Sequence, residues 1–352
     1  MKGEIYPSRV TIIASRITIF MKQYEQFINN FSGKILKNEL LSEHSSFKIG
    51  GTADIMVIAG TTDVLEESVN LCIEFNIPFF ILGGGTNIVF HDKGFRGIVI
   101  KNLCNNYSVE GEKVFVESGV IISRFAEDMS CRSLKGLEAL GGLPGTVGGA
   151  IVGNAGAYGA SIGDVLTSAK IFLLKERKTV EVKRDFFDFR YRYSRLKTGE
   201  VKGVILSSTL HMATGNRDEL LAVIEKDRYK RKTLHPTEPS AGCIFKNIEI
   251  NDEKFDCLKN KMPSVHLKEV IVHNKLPAGK LIELAGLKGA SSGDACVSPV
   301  HGNYIVNMGK ATCGHVKDLI SVVKKKIKED FNIDFEEEVL FIPERLYDKP
   351  VR

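Results

Sequence analysis

No apolar run in this chain of 352 residues approaches the roughly 20 residues that cross a bilayer, so no membrane insertion is expected. None of the seven cysteines (Cys72, Cys104, Cys131, Cys243, Cys257, Cys296 and Cys313) sits in a CxxC or CxxH pair, and their number is odd. Neither a zinc site nor a disulfide framework is suggested, and no other metal is expected. Free thiols point to a reducing compartment, the cytoplasm. The positive excess is small, +5 over 38.9 kDa. That is too small to argue for a nucleic-acid partner, and none is expected; it suits an anionic small molecule. There is no internal repeat and no low-complexity tract.

The composition, 43% apolar and 26% charged, is that of an ordinary globular chain long enough for two or three domains. Residues 1–20 faintly resemble a signal peptide, but Arg16 interrupts the apolar stretch and no small-residue cleavage site follows. They read as an upstream extension or a disordered tail. Tyr24, Phe27, Ile28 and Phe31 then recur at helical spacing.

One stretch organises the rest. Residues 141–158, GGLPGTVGGAIVGNAGAY, hold seven glycines and no Lys, Arg, Asp or Glu. Backbone N–H groups left uncovered by side chains can close around a large polar ligand. A linker would be richer in Ser and charge. A second such segment, ILGGGTNIVF at 81–90, follows a short apolar strand, the order that offers backbone donors to phosphate. It is not GxGxxG and no helix pattern follows, which disfavours a Rossmann fold.

Elsewhere, Thr62 or Asp63 caps a helix to about Phe75. Strands fall at 53–58, 97–100, 113–120 and 203–212, with a hairpin at 171–182. Residues 122–134 are helix-like. Asn216 and Glu219 open a helix to about Arg231, whose basic run 226–232 reads mainly as a solvated face. Its end is the best domain boundary. A helix near 279–287, strands near 295–298 and 304–306, and a helix capped by Thr312 with the stripe Val316, Leu319, Ile320, Val323 and Ile327 complete the chain before a strand at 336–342.

Two Gly-rich segments on strand-rich frameworks suit a dinucleotide lying between two subdomains, and FAD has such a shape. Five motifs in order, SSFKIGGTAD, ILGGGTNIVF, GLEALGGLPGTVGGAIVGNAGAYG, FRYRYSRLK and PSAGCIFKN, with AGKLIELAGLKG and EEEVLFIP after them, resemble the UDP-N-acetylenolpyruvoylglucosamine reductase family over residues 22–343. The compact length and the Tyr-Arg-Tyr-Ser form resemble the subclass without an extra tyrosine loop. The resemblance implies an α+β fold. Two FAD-binding subdomains of the vanillyl-alcohol-oxidase type (21–101 and 102–232) would precede an α+β substrate domain (233–352). It implies non-covalent FAD, NADPH as co-substrate, a monomer, and reduction of UDP-N-acetylglucosamine enolpyruvate to UDP-N-acetylmuramate in peptidoglycan precursor synthesis.

It also implies site residues. FAD would meet Ile49, Gly83, Gly84, Gly85, Thr86 and Asn87. The second loop would add Gly142, Pro144, Gly145, Thr146, Gly148, Gly149, Asn154, Ala155 and Gly156. Tyr158, Lys246 and Asn247 would contact substrate. Arg192 matches the family arginine that meets the enolate, with Arg190 and Arg195 better suited to structural surface roles. Glu338 matches the family glutamate; taken alone, Glu336-Glu-Glu reads as a solvated strand start. Cys243 stands where the family has serine, as proton donor to C2. An ordinary thiol, near 8.5, would lose that proton at high pH, so activity should fall there. Two other readings stay open: a same-fold flavin oxidase or dehydrogenase of another small acid, and a UDP-sugar-binding protein without catalysis.

Overall fold

The structure is a computed structural model and describes residues 21–251, 255, 258, 259, 270, 271 and 274–343. The expected extension 1–20 and Cys257 lie outside these residues. Residues 21–30 are helical, as the spacing predicts, and Phe27 is fully buried against the first sheet. That sheet runs in the order Lys34–Leu40, Thr52–Ala59, Phe95–Asn102, Phe79–Leu82. Its first pair is antiparallel and the other two are parallel. Parallel strands are covered on both faces, and the alternation here shows it. Ile55, Val57, Ile98 and Ile100 point into one apolar cluster, Met56 and Val99 into another. Helix Thr62–Glu74 covers the first face with Leu65, Val69 and Cys72. Its cap is Thr61, one residue before the expected start, because only Thr61 has the extended backbone that lets its hydroxyl accept from Val64 N.

The second sheet is antiparallel, in the order Lys178–Lys183, Leu166–Leu173, Gly203–His211, Lys113–Glu117, Tyr107–Glu110. The expected hairpin supplies its first two strands. Phe172, Val204 and Leu206 of this sheet join the cluster under helix Thr62–Glu74, so the two sheets share that helix. The opposite face packs on helix Ile122–Cys131 and on the Gly-rich stretch.

That stretch differs from expectation. It contains a short helix, Val147–Gly153, capped by the Thr146 hydroxyl. Glycine disfavours a helix interior by about 1 kcal/mol. Here burial of Val147, Ala150 and Ile151 offsets the cost. Gly148 is also required, since a Cβ there would lie 2.8 Å from Ser118 Cβ.

Helix Arg217–Leu234 packs on Ile122–Cys131 and leads into a sheet of Ser240–Cys243, Tyr304–Asn307, Ala295–Val297 and Ser291–Ser292. Asn216 caps that helix by accepting from Asp218 N and Glu219 N. Helices Ala278–Leu284 and Cys313–Phe331 cover the sheet, and the predicted stripe from Val316 to Ile327 is buried throughout. The expected last strand is reduced to Leu340–Ile342, which pairs in parallel with Ile88–Phe90 of the first unit. This return places residues 336–339 beside both the first glycine loop and the last domain. Among the described residues, no helix is long and apolar enough to cross a membrane.

Candidate active site

Strand Phe79–Leu82 delivers Gly83–Asn87 directly against the second glycine stretch. A Cβ on Gly83 would lie 2.6 Å from Thr146 Oγ1, and one on Gly84 would lie 2.8 Å from Gly145 Cα. Gly85 has φ +67°, and a Cβ there would collide with the His44 carbonyl. The loops therefore meet backbone to backbone, which only glycine permits. The N–H groups of Gly84, Gly85, Thr86 and Asn87 donate to nothing among the described residues. Such a row of free donors fits the pyrophosphate of FAD.

In the second loop several donors are already used. Gly148 N bonds Ser118 O at 2.8 Å, Gly149 N bonds Thr146 Oγ1 at 3.4 Å, and Asn154 N and Ala155 N close the helix end. Those four residues can line a flavin but do not offer it their N–H groups. The Asn154 side chain donates to Arg190 O and accepts from Gly163 N, tying the loop to the arginine segment. Ile49 packs in the apolar core beneath the last sheet. Pro144 is exposed and Gly156 half-buried on the same stretch.

Arg192 sits on a tight turn in which Arg190 and Tyr193 bond each other's backbones. Its φ of +53° is costly for a side-chain-bearing residue, about 1 kcal/mol, and neighbours hold it there. Ser194 Oγ donates to Val152 O, and Lys197 Nζ donates to Arg192 O at 3.0 Å. The guanidinium lies over the Tyr191 ring, whose face also receives Lys275 Nζ at 3.3 Å. Arg192 Nε is 2.6 Å from Glu338 Oε1, a close ion pair in which the N–H is not aligned as a hydrogen bond. Arg190 and Arg195 pair instead with Asp188 and Glu200 toward solvent, the surface roles expected of them.

Glu338 is gripped from two sides. Its N donates to Ile244 O at 2.8 Å, and its carbonyl accepts from Asn87 Nδ2 at 3.1 Å. The end of the first glycine loop thus touches the backbone of the glutamate that pairs with Arg192. Ile244 follows Cys243, so the same contact brings the cysteine strand alongside.

Cys243 lies opposite Tyr304 in the antiparallel pair, at an irregularity made by Gly242 with φ +78°. Burial, then the Glu338 charge, pushes its thiol up to about 12; Arg192, Arg231 and the Tyr304 hydroxyl pull the other way. The thiol therefore holds its proton well above the ordinary value near 8.5 on which the sequence expectation rests.

Of the expected substrate contacts, Lys246 Nζ pairs with Glu336 at 2.5 Å, and Asn247 Oδ1 accepts from Ala278 N at the start of a helix. Tyr158 is exposed beneath Lys230, 4.7 Å from its ring centre. Sequence reasoning missed Arg231, which belonged to a run read as solvated. Its Nε is buried without a hydrogen-bond partner, and its side chain abuts Gly142. Among the described residues, no His, Cys, Asp and Glu group could hold a metal.

Comparison with known proteins gives the family. Residues 53–182 match the FAD binding domain, and residues 235–342 match the C-terminal domain of UDP-N-acetylenolpyruvoylglucosamine reductase. The reductase of Caldanaerobacter subterraneus is 37% identical over 89% of this chain and 95% of its own. That of Bacillus subtilis is 36% identical over 88% and 94%. The crystal structure of the Thermus caldophilus reductase superposes with a TM-score of 0.68 at 27% identity, covering 88% of this chain and 98% of that one. The chain belongs to the UDP-N-acetylenolpyruvoylglucosamine reductase family.

Proposed function

We propose that this chain reduces UDP-N-acetylglucosamine enolpyruvate to UDP-N-acetylmuramate, with Cys243 as the acid and the Arg192–Glu338 pair as the charge-stabilising element. Bound FAD supplies the hydride for C3 of the enolpyruvyl group, drawn from NADPH. The chain's residues then manage charge and proton. Negative charge develops at C2 and spreads into the adjacent carboxylate. The Arg192 guanidinium, already oriented by Glu338 and Tyr191, offers a planar fork to that carboxylate. Cys243 gives its proton to C2. A thiol near 12 is a weaker acid than a free one, but it is protonated at working pH and an enolate carbon is a far stronger base.

The observation that carries this reading is the meeting of three distant segments. Glu338 bonds Ile244, pairs with Arg192, and is held by Asn87 from the flavin loop. Gly83–Asn87 and the face of residues 142–156 would hold FAD. A UDP-sugar substrate and the free thiols support a cytoplasmic setting.

The test is direct. The purified protein should carry a flavin spectrum and consume NADPH only when the enolpyruvate is added. Flavin without substrate-dependent consumption would favour a binding protein. Oxygen-dependent turnover of another acid would favour an oxidase.

A further inference from the structure

Beside Cys243 lies a cluster that the reduction as described does not use. Cys243 and Tyr304 are cross-strand partners, so their side chains share one face of the sheet. The Tyr304 hydroxyl lies close enough to the thiol for each group to alter the other's hold on its proton. On its other side it is 2.7 Å from His235 Nδ1. The rings stack edge to face, with centroids 5.1 Å apart. His301 braces both, 5.3 Å from His235 and 4.9 Å from Tyr304, while its own Nδ1 accepts from Asn303 N. His235 is half-buried at the end of helix Arg217–Leu234, beside exposed Leu234, and so reaches solvent. Sulfur, phenol and imidazole thus form a line from the thiol to water.

We propose that Tyr304 and His235 are a proton-return relay that reprotonates Cys243 after each turnover. This rests on Cys243 being the acid. When the thiol S–H breaks and the C2–H bond forms, a thiolate is left. The Tyr304 O–H then breaks and the S–H bond re-forms. The phenolate takes the hydrogen of His235 Nδ1 as a proton from water binds at Nε2. The ring returns to its starting tautomer by exchange with solvent. One proton enters from water for each enolpyruvate reduced, which balances the reaction.

Burial and then Cys243 raise the hold of Tyr304 on its proton, so a phenolate there draws at once on His235. Glu338 disfavours a lingering thiolate, while Arg192 and Arg231 keep it accessible during turnover. Burial, Arg231 and His301 push His235 down to about 4, so its imidazole is neutral and passes a proton without storing it. His301 is likewise held neutral, chiefly by burial, with Lys288 lowering and Glu283 raising its affinity for a proton.

The test mixes pre-reduced holoenzyme with the enolpyruvate and follows flavin reoxidation together with proton uptake by an indicator dye. Wild type should take up its proton with the first turnover. Tyr304→Phe, which keeps the ring, should complete one turnover at the wild-type rate with delayed proton uptake. Its later turnovers should be about 10²-fold slower. His235→Gln should behave alike, and decides the matter if Tyr304→Phe does not bind flavin. Prompt uptake and undiminished steady turnover in these variants would overturn the relay, as would slowing of the first turnover itself. Cys243→Ala separates the underlying reading: an unslowed first turnover there would remove the acid role of Cys243, whatever the relay variants do.

Discussion

Arg192 Nε stands 2.6 Å from Glu338 Oε1, joining a turn between two strands of the second sheet to the segment before the last strand. Each fixes the position of the other. Arg192→Lys loses the planar fork and Glu338→Gln loses the charge that orients it. Each should lower kcat by about 10²-fold, the scale for removing one donor at a developing oxyanion. The double variant should fall short of the product of the two, because the residues act as a unit. Flavin content and the NADPH half-reaction should be unchanged in all three. Stopped-flow measurement of each half-reaction checks this.

A side chain at Gly84 has no room, since its Cβ would meet the Gly145 backbone at 2.8 Å. Gly84→Val should force the two glycine loops apart and purify with little flavin while keeping its secondary structure. The flavin-to-protein ratio, read with circular dichroism, measures the outcome. Full flavin occupancy would remove this loop contact from the cofactor site.

Asn87 links the first glycine loop to Glu338 through its amide, 3.1 Å from the Glu338 carbonyl. Asn87→Ala should cost about 1 kcal/mol of stability, as for one partly buried hydrogen bond. It should lower kcat more than it raises KM, because the displaced group is the glutamate that holds Arg192. Urea unfolding and steady-state kinetics separate the two effects.

The pH dependence follows from thiols held above their ordinary value. Cys243 and Cys104 are pushed up to about 12 and Cys313 to about 11, with burial the leading cause in each. The folded chain keeps protons that the unfolded chain releases from about 8.5 upward. This stabilisation is complete below about 8.5 and is lost as pH rises toward those folded values. Cys104→Ala should therefore flatten the alkaline fall in the urea midpoint. Activity should show no thiol-linked decline between about pH 8 and 9, and Cys243→Ser should give the same profile there as wild type.

Glycine density marked both loops because few other roles suit so many residues without side chains or charge. The stripe from Val316 to Ile327 was legible because burial of one helix face repeats at a fixed period. Val147–Gly153 was not, since six of its seven residues are glycine or β-branched types that disfavour a helix and that only tertiary packing overrides. Pairing of Leu340–Ile342 with Ile88–Phe90 leaves no local trace, being a contact between segments far apart in sequence. Arg231 resembles its basic neighbours in sequence, and only its buried Nε sets it apart. The line from Cys243 through Tyr304 to His235 depends on sheet register, which the motifs do not encode. The resemblance selected Arg192, Cys243 and Glu338; the fold adds how Asn87 and Ile244 bring them together.

Cys243 as the proton donor to C2 is tested most directly by pre-reducing Cys243→Ala and Cys243→Ser and mixing each with the enolpyruvate. Both should accept electrons from NADPH as wild type does. The Ser variant should then reoxidise its flavin and form UDP-N-acetylmuramate, while the Ala variant should stay reduced with substrate bound. Product formation by the Ala variant at the wild-type rate would contradict the account.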